Sequence, residues 1–352
     1  MTDLSVSVAI ATYNGARYLP EQLQSIFAQT RVPEEVVICD DGSSDETEAV
    51  VGSLKAAAPC PIRFERNSER LGYAGNFRRA ASLCEGDIIA FCDQDDWWAP
   101  RKIERAIVPF ESSDVQLVYH NARIVTSARE PIGLLYNADQ EGAALAIRPI
   151  APWHHSYGLV QLFRASLRRF DDLWDMSVNH IVQKHDPLSH DQWYFFLAQT
   201  LGRVVFLDEV LVDYRQHGTN AVGAIQKRPA AGARAWKRLE HYGWTDDKAA
   251  ESARARGSIM RHLEGRGAAS PERLQLLARH YDLLASRLSR RAAVYRDAGI
   301  LPRFKHLLAS WRAGDYSDWP WGFDRRSVLR DLISGVMLHK YDEPAPVTPS
   351  KH

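Results

Sequence analysis

The chain has 352 residues, of which 45% are hydrophobic and 25% are charged, and its formal net charge is zero. This composition is typical of a globular chain and excludes disordered, collagen-like and disulfide-scaffold proteins. The charge is divided, since residues 1–223 carry a net charge of −10 and residues 224–352 carry +10. This division argues against a nucleic-acid partner for the first part and leaves the second part free to meet an anionic surface.

Strand and helix patterns alternate over the first part of the chain. Short apolar runs end at polar turns and are followed by apolar residues at helical spacing. Such repeated units predict an α/β fold, with a Rossmann-like, mostly parallel sheet and helices on both faces. Ligands of these sheets bind beyond the carboxyl ends of the strands. The predicted strands are Val6–Ala11, Glu35–Cys39, Ile62–Glu65 and Asp87–Cys92, and the predicted helices are Leu19–Phe27, one that starts at the capping-box pair Ser43 and Glu46, and Asn76–Cys84.

Helical patterns replace strand patterns after about residue 223, so the chain divides into a first domain, 1–223, and a basic helical region, 224–352. Ser270 and Pro271 predict the start of a long helix, and the tail after about residue 343 is expected to be disordered. A late apolar stripe flanked by arginines is suited to rest on an anionic bilayer, and the alternatives are packing on the first domain or in a homodimer. The stripe consists of Val328, Leu329, Leu332, Ile333, Val336 and Met337.

Cysteine usage and hydropathy predict a cytoplasmic protein. The four cysteines lie in or beside apolar runs without the spacing of metal-ligand pairs, so we expect reduced core residues. We expect no membrane-crossing segment and no signal peptide, although peripheral contact with the cytoplasmic membrane is compatible with the basic second part.

An acidic loop follows the fourth predicted strand. Asp93, Gln94, Asp95 and Asp96 place three carboxylates within four residues, which is costly unless a cation is near. Oxygen ligands suit Mn²⁺ or Mg²⁺, and an ion held by few carboxylates keeps open positions for substrate phosphates. The loop therefore predicts a metal–diphosphate site, with a solvated turn as the alternative.

Polar residues also follow the first two strands. Asp40 and Asp41 end the second strand, where carboxylates accept hydrogen bonds from ribose hydroxyls or base N–H groups, and helix capping is the alternative. Thr12, Tyr13 and Asn14 follow the first strand and are predicted to line the same crevice, with Tyr13 as a stacking surface. An ordinary turn at Asn14 is the alternative.

Two later motifs are candidates for the reaction itself. If the acidic loop binds a diphosphate, displacement at the sugar carbon needs a base on the opposite side, and Asp191, at the first turn of a predicted helix, suits that role. A capping aspartate is the alternative. Arg215 and His217 are candidates to neutralise phosphate oxygens, and His217 also to complete a metal shell.

Aromatic and polar residues stand together ahead of the apolar run Leu159–Phe163. Sugar rings often lie against aromatic faces, so this segment is a candidate sugar contact, and ordinary core and turn is the alternative. The segment includes Trp153, His154, His155 and Gly158.

In order and spacing, four segments resemble family 2 glycosyltransferases: Val8–Asn14, Asp40–Asp45, Gly86–Asp96 and the His190-Asp191 pair. The resemblance covers about residues 4 to 223. It implies a GT-A fold, a nucleotide-sugar donor, a divalent metal (Mn²⁺ or Mg²⁺) at Asp93 and Asp95, and inversion at the anomeric carbon with Asp191 as base. The expected donor contacts are Thr12, Tyr13, Asn14, Asp40, Asp41, Asn76, Asp93, Gln94 and Arg215, and the expected acceptor contacts are Trp153, His154, His155, Gly158, His190 and Trp193.

The segment Tyr214–Asn220 is most similar to the bacterial rhamnosyltransferase-type branch, which builds cell-surface polysaccharides such as O-antigen. It implies transfer of rhamnose or a related hexose from a dTDP- or UDP-sugar to a glycan or lipid-linked acceptor. The sequence departs from the family at His190, where many members have Glu, and at Tyr119–Asn121, which replaces a common acceptor-side motif.

Two other classes of protein share some of these features. A nucleotidyltransferase also uses acidic metal ligands, but it needs a glycine-rich basic loop after the first strand, and Asn14–Arg17 is poor in glycine. A non-catalytic sugar-binding module explains the aromatic residues but not the acidic clusters.

Overall fold

The computed structural model describes residues 3–136, 154–181, 186–217, 242–316 and 326–341. These residues form two compact units. The first unit contains residues 3–136, 155–172 and 189–217, and the second contains residues 154, 173–181, 186–188, 242–316 and 326–341. The units are therefore interleaved in sequence, whereas we expected one boundary near residue 223.

Strands that form one sheet, and the helices between them, make up the first unit. In the described residues the strands are β1 (Val6–Thr12), β2 (Glu35–Asp40), β3 (Ile62–Arg66), β4 (Ile88–Asp93), β5 (Trp97–Trp98), β6 (Val115–Thr126), β7 (Pro131–Leu134), β8 (Gln161–Arg164) and β9 (Arg203–Gln216). The helices are α1 (Leu19–Phe27), α2 (Thr47–Lys55), α3 (Gly72–Leu83), α4 (Lys102–Ala106) and α5 (His190–Leu201), with 3-10 turns at Val108–Glu111 and Gly158–Val160. A further 3-10 turn, Ala165–Met176, begins in the first unit and ends in residues of the second.

The strands follow the order β3-β2-β1-β4-β8-β6-β9-β5, and β7 pairs with β6. The first four are parallel, whereas β8 runs antiparallel to both neighbours and β5 runs antiparallel to β9. In the register of the sheet Thr12 lies opposite Asp40, and Ala11 lies opposite Asp93. The carboxyl ends of β1, β2 and β4 therefore meet at one edge, as the α/β prediction requires.

The central strands β1, β2 and β4 are covered on both faces, which is why they read as continuous apolar runs. Strand β6 was not predicted, because two polar residues interrupt its apolar pattern. His120 and Asn121 are both buried in it, and Asn121 is bound through both side-chain atoms to the backbone of Tyr136. Such long-range bonds satisfy buried polar groups but leave no local sequence signal.

The predicted capping box at Ser43 and Glu46 is wrong. The Ser43 hydroxyl is bound to Asp40 and accepts from the backbone N–H of Asn14, and α2 begins only at Thr47. Asp45 supports that start instead, because its carboxylate accepts from the Thr47 backbone N–H at 3.1 Å. Ser43 thus connects the turns after β1 and β2 rather than capping a helix.

The second unit is helical in the residues described, and it contains the start that Ser270 and Pro271 predict. Ser270 is the N-cap and accepts from the Arg273 backbone N–H at 3.4 Å. None of the described helices is long and apolar enough to span a membrane. The helices are α6 (Gly243–Gly265), α7 (Pro271–Arg296), α8 (Ile300–Arg312) and α9 (Arg326–Arg330), followed by a π-helical turn, Asp331–Met337.

The late apolar stripe is divided between the interior and the surface of this unit. Val336 belongs to a buried cluster, and Val328 and Leu332 pack against that cluster, whereas Leu329 and Met337 are exposed. Half of the stripe is therefore used for packing inside the second unit. The other members of the cluster are Val294, Tyr295, Leu307 and Tyr316.

Candidate active site

A cavity of about 390 Å³ lies at the carboxyl ends of β1, β2 and β4, within the first unit. Its walls also include the start of α3, the turn that contains Gly158, and the start of α5. This is the edge at which sheets of this kind bind ligands, and the volume is that of a small-molecule site. The predicted donor contacts in its wall are Thr12, Tyr13, Asp41, Asn76, Asp93 and Gln94.

The acidic loop is held between β4 and β9. Asp93 ends β4 and lines the cavity, while the carboxylate of Asp96 turns inward and accepts from the backbone N–H of Arg215 at 2.9 Å. Burial and the neighbouring charges of Asp95 and Asp191 raise the pKa of Asp93. Burial and the charges of Asp95 and Asp93 likewise raise the pKa of Asp96. The site is thus short of positive charge.

The side chain of Asp95, in the acidic loop, contacts that of His217, which directly follows β9. The His217 Nε2 atom lies 2.7 Å from Asp95 Oδ2, and the imidazole stacks on the Tyr18 ring with 4.7 Å between centroids. Within the described ranges no three His, Cys, Asp or Glu side chains converge as a closed metal site. An imidazole and a carboxylate beside the cavity instead fit a divalent ion that takes its other ligands from a substrate.

A buried lysine lies beneath the acidic loop. The Lys102 ammonium donates to the carbonyl of Leu159 at 2.9 Å and lies 3.6 Å from the centroid of the Trp98 ring. Burial lowers the pKa of Lys102 to about 7, against the opposing effect of nearby groups that include Asp96 and Asp93. Because Leu159 follows Gly158, this bond also ties the Gly158 turn to α4.

The side-chain amides of Gln94 and Asn76 form hydrogen bonds along the part of the cavity where the nucleotide-sugar contacts were predicted. Gln94 Oε1 accepts from the Thr12 hydroxyl at 2.6 Å and from the Tyr13 backbone N–H at 3.0 Å. Asn76 is buried and donates to the carbonyls of Thr12 and Cys39, at 3.3 and 2.9 Å. These bonds fix the ends of β1 and β2 relative to the acidic loop.

Asp41 lines the cavity, but its oxygens are engaged by protein donors. Oδ1 accepts from the Leu71 backbone N–H at 2.7 Å, and Oδ2 accepts from the Gly72 backbone N–H at 2.9 Å. Asp41 therefore anchors the start of α3. Gly72 has a φ of +69°, a conformation that favours glycine at this turn.

Asp191 is the second residue of α5, and the helix is capped by another residue. Ser189 is the N-cap and forms a capping box with Gln192. The Asp191 Oδ1 atom is bound to the Ser189 hydroxyl and accepts from the Gln192 backbone N–H at 2.8 Å. The carboxylate is thus held at the cavity wall, which is compatible with the predicted role as a base. The alternative, an N-cap aspartate, is wrong, because the N-cap is Ser189.

His190 lines the cavity beside Asp191, and it is buried. Its ring stacks on Phe77 with 4.1 Å between centroids, and neither ring nitrogen has a hydrogen-bond partner among the described residues. Burial lowers the pKa of His190 to about 4, so the imidazole is neutral near pH 7. A Cβ atom on Gly158 would lie 2.6 Å from His190 Nε2, so only glycine lets the turn approach the ring so closely.

Four predicted contacts do not face the cavity. The buried carboxylate of Asp40 accepts from Ser43 in its own turn, and the Asn14 side chain accepts from the Ser44 backbone N–H at 2.8 Å. The Arg215 guanidinium is buried and donates to Glu21 at 2.5 Å. Trp193 is fully buried and donates to Asp171 at 2.9 Å. Trp193 stands two residues after Asp191, so helical spacing places its side chain on a different side of α5. Trp193 therefore does not line the cavity beside Asp191 as predicted.

The segment around residue 155 is only partly described. Trp153 lies outside the described residues, and His154 belongs to the second unit. His155 has its ring 6.3 Å from that of Tyr157 but does not line the cavity, whereas Gly158 does. Among the described residues of the first unit, the predicted acceptor contacts that line the cavity are Gly158 and His190.

Sequence reasoning missed several cavity residues. The Arg70 guanidinium lies 3.9 Å from the centroid of the Tyr13 ring, and Tyr73 follows it at the start of α3. Tyr157 and Tyr214 also line the cavity, inside motifs that we had singled out for other residues. A basic residue two positions before the start of a helix was the available signal for Arg70.

Comparison with known proteins identifies relatives of the first unit. The family model described as Glycosyl transferase family 2 matches residues 7–172. The chain is 30% identical over 223 residues to the dTDP-rhamnosyl transferase RfbG of Shigella flexneri, covering 61% of this chain and 74% of that protein. It is also 30% identical over 227 residues to an uncharacterized glycosyltransferase of Nostoc, covering 62% of this chain and 66% of the relative.

Other similarities cover shorter parts of the relatives. A UDP-Glc:alpha-D-GlcNAc-diphosphoundecaprenol beta-1,3-glucosyltransferase of Escherichia coli, WfgD, is 30% identical over 127 residues, which are 36% of this chain and 49% of the relative. The chain spans 59% of the Mycobacterium tuberculosis protein Rv1520, at 25% identity over 60% of this chain.

A solved structure supports the fold. The chain aligns with S. aureus TarS 1–349, determined in complex with UDP-GlcNAc, with a TM-score of 0.51 and 16% identity, covering 90% of this chain and 93% of the other. Together with the mixed sheet of the first unit, this likeness confirms the predicted GT-A architecture.

Proposed function

Because the chain belongs to glycosyl transferase family 2, we propose that it is an inverting enzyme that moves a hexose from a nucleotide-diphosphate sugar to a hydroxyl group of an acceptor. The observation that carries this proposal is that Asp95 and Asp191 line one cavity at the carboxyl edge of the sheet. A single displacement at the anomeric carbon needs a site for the leaving diphosphate on one side of the sugar and a base for the attacking hydroxyl on the other.

The donor is expected to lie over the ends of β1 and β2. The Tyr13 ring and the Arg70 guanidinium form a platform that suits a nucleobase and adds a positive charge for phosphate oxygens. Arg70 takes the role that we had expected of Arg215. Rhamnose from a dTDP-sugar is our first candidate, because the similarity to RfbG extends over most of that protein's length, and a UDP-hexose is the second.

Asp95 and His217 are the residues that would hold Mn²⁺ or Mg²⁺, with Asp93 beside them on the cavity wall. When bound, the ion neutralises the diphosphate and so makes it a better leaving group. The carboxylates of Asp93 and Asp96 are costly neighbours without such a counter-charge, and Lys102 beneath them, whose pKa burial lowers to about 7, supplies only part of it.

In the proposed reaction Asp191 takes the proton of the acceptor hydroxyl while the oxygen attacks the anomeric carbon. The new C–O bond forms as the bond from that carbon to the diphosphate breaks, so the configuration inverts and the nucleoside diphosphate leaves. Ser189 and the Gln192 backbone fix one carboxylate oxygen of Asp191, and among the described residues no donor binds the other. That oxygen is the one available to the hydroxyl.

The acceptor is expected to approach past His190 and the Gly158 turn. A neutral, unpartnered imidazole offers one donor and one acceptor, which suits a sugar hydroxyl. We propose a glycan or lipid-linked acceptor in cell-surface polysaccharide synthesis, by similarity to the relatives named above.

The test uses the full chain with dTDP-rhamnose, UDP-glucose, GDP-mannose and a CMP-sugar, each with and without Mn²⁺. Thermal unfolding identifies the donor, because a ligand of the folded state raises the melting temperature. Nucleotide release with a glycan acceptor and NMR of the anomeric proton then report transfer and inversion. Pyrophosphate release from a nucleoside triphosphate and a sugar phosphate would identify a nucleotidyltransferase instead. Stabilisation by glycans alone, without transfer, would identify a sugar-binding module.

A further inference from the structure

Helix α8 of the second unit has a buried side and, beside it, an exposed apolar side. Arg303, Leu307 and Ser310 are buried, and Leu307 belongs to the buried cluster of this unit. Residues on the other side are apolar but exposed, and Leu301 and Trp311 are 72% and 63% accessible. An ordinary surface helix carries polar residues on its outer face, so α8 is unusual.

The exposed apolar residues form one strip. At 100° per residue, exposed Leu301, Phe304 and Trp311 and half-buried Leu308 fall within one quadrant of the helix, and exposed Ile300 lies at its edge. Several large exposed side chains on one strip form a patch, unlike single exposed hydrophobic residues, which are common on proteins.

Positive charge accompanies this strip. Helix α8 contains basic residues and no Asp or Glu, and Lys305 and Arg312 are exposed along one border of the strip. The π-helical turn, which contributes Val336 to the same buried cluster as Leu307, is followed by exposed Leu338 and by Lys340.

We propose that the strip on α8 docks on the surface of an anionic lipid bilayer. Leucine, phenylalanine and tryptophan on one face with basic residues at the border are the composition of helices that lie in the membrane interface. A second copy of the chain would present an α8 that is equally basic and without acidic residues, whereas lipid phosphates complement Lys305 and Arg312. The proposal thus moves the expected membrane contact to the strip on α8. The stripe at residues 328–337, which the sequence suggested, is used in half of its residues for packing in the second unit.

Vesicle sedimentation of the full-length protein tests the proposal. We expect the protein to sediment with phosphatidylcholine vesicles that contain phosphatidylglycerol, not with pure phosphatidylcholine, and to be released at 1 M salt, where the Debye length falls to about 3 Å. The double variant Leu301→Ser/Trp311→Ser is expected to bind about 10-fold or more weakly, because two large apolar contacts are lost. Leu276→Ser/Leu283→Ser changes exposed leucines of α7 and is the matched control, expected to bind like wild type.

Three results would overturn the proposal. The first is wild-type protein that stays in the supernatant with anionic vesicles at low salt, and the second is binding by Leu301→Ser/Trp311→Ser that equals that of the control. The third is a dimer that only this double variant abolishes, which would make a second copy the occupant. Thermal unfolding of each variant verifies folding, and nucleotide-sugar affinity reports the first unit separately, so either proposal is able to fail alone.

Discussion

Asp191 carries a charge that its structural bonds do not need. An asparagine carbonyl at this position accepts equally well from the Ser189 hydroxyl and the Gln192 backbone N–H. We therefore expect Asp191→Asn to keep the fold and the donor affinity while turnover falls by about 10² or more, the scale for losing a positioned base. Calorimetry with the donor and steady-state rates check this, and Ser189→Ala serves as the control for a weakened helix start. Near-normal turnover of Asp191→Asn would contradict the assignment.

Asp95 is predicted to link nucleotide affinity to the metal. Asp95→Asn removes a ligand charge beside His217, so we expect nucleoside diphosphate affinity in Mn²⁺ to fall about 10-fold or more. Without metal, the same variant is expected to bind at least as well as wild type, because one negative charge facing the diphosphate is gone. Titration calorimetry with and without EDTA measures both. The control is Asp87→Asn, because Asp87 directly precedes β4 at the end of the strand away from the cavity. Equal affinities of Asp95→Asn and wild type in Mn²⁺ would refute the prediction.

His190 makes the protein sensitive to acid. Its pKa is lowered by burial to about 4 from an ordinary 6.5, so between these values the unfolded chain binds a proton that the folded chain does not, and stability falls as the pH falls. Its contribution corresponds to about 2 kcal/mol between pH 7 and pH 5. We expect His190→Phe, which keeps an aromatic ring against Phe77, to unfold in denaturant with a smaller difference between these pH values. Buried His120 adds to this slope, whereas the raised pKa values of Asp93 and Asp96 oppose it. The quantity to compare between variant and wild type is therefore the change in unfolding free energy from pH 7 to pH 5, and an identical change would show that His190 does not contribute.

At the level of elements, the Gly158 turn and α5 form one wall of the cavity. A Cβ atom at residue 158 would meet His190 Nε2 at 2.6 Å, so Gly158→Ala is expected to displace the ring or the turn and to lower kcat/KM. His190→Ala removes the obstacle, so we expect the double variant to be no worse than His190→Ala alone. A double-mutant cycle on kcat/KM gives the coupling, and fully additive effects would show that the close approach is irrelevant to the site.

Elements were predictable where local pattern and burial agree. The runs of β1, β2 and β4 are buried on both faces, so their sequence alone marks them, and the polar residues at their ends locate the cavity. The directions of side chains were not predictable, since they depend on distant partners. Arg215 donates to Glu21, 194 residues away in sequence, and the Trp193 indole finds Asp171 in a 3-10 turn. The motifs thus predicted where the cavity lies, but about half of the residues that line it are brought there by tertiary packing and could not be predicted.

At the scale of the whole molecule, the charge division of the sequence coincides only roughly with the two compact units. Residues 173–181 and 186–188 precede the last helix and strand of the first unit, yet they belong to the second. The Ser252 hydroxyl of α6 donates to the carbonyl of Val178 at 2.7 Å, and Val178 and Leu188 are buried. The sequence shows no periodic pattern for this return of the chain, because long-range contacts such as the bond between Ser252 and Val178 define it.

This interleaving leads to a prediction about truncation. A fragment of residues 1–225 ends near the charge boundary but leaves residues 173–188 without the helices of their own unit, so Val178 and Leu188 lose their cover. Exposed apolar side chains cost about 25 cal/mol per Å² and favour aggregation. We expect the fragment to melt at a lower temperature than the full chain and to bind nucleotide sugars more weakly, as measured by thermal unfolding with and without donor. Val178→Ser/Leu188→Ser in the fragment is expected to restore solubility in part, whereas the same change in the full chain is expected to destabilise it. A fragment as stable and as active as the full chain would show that these residues do not depend on the second unit.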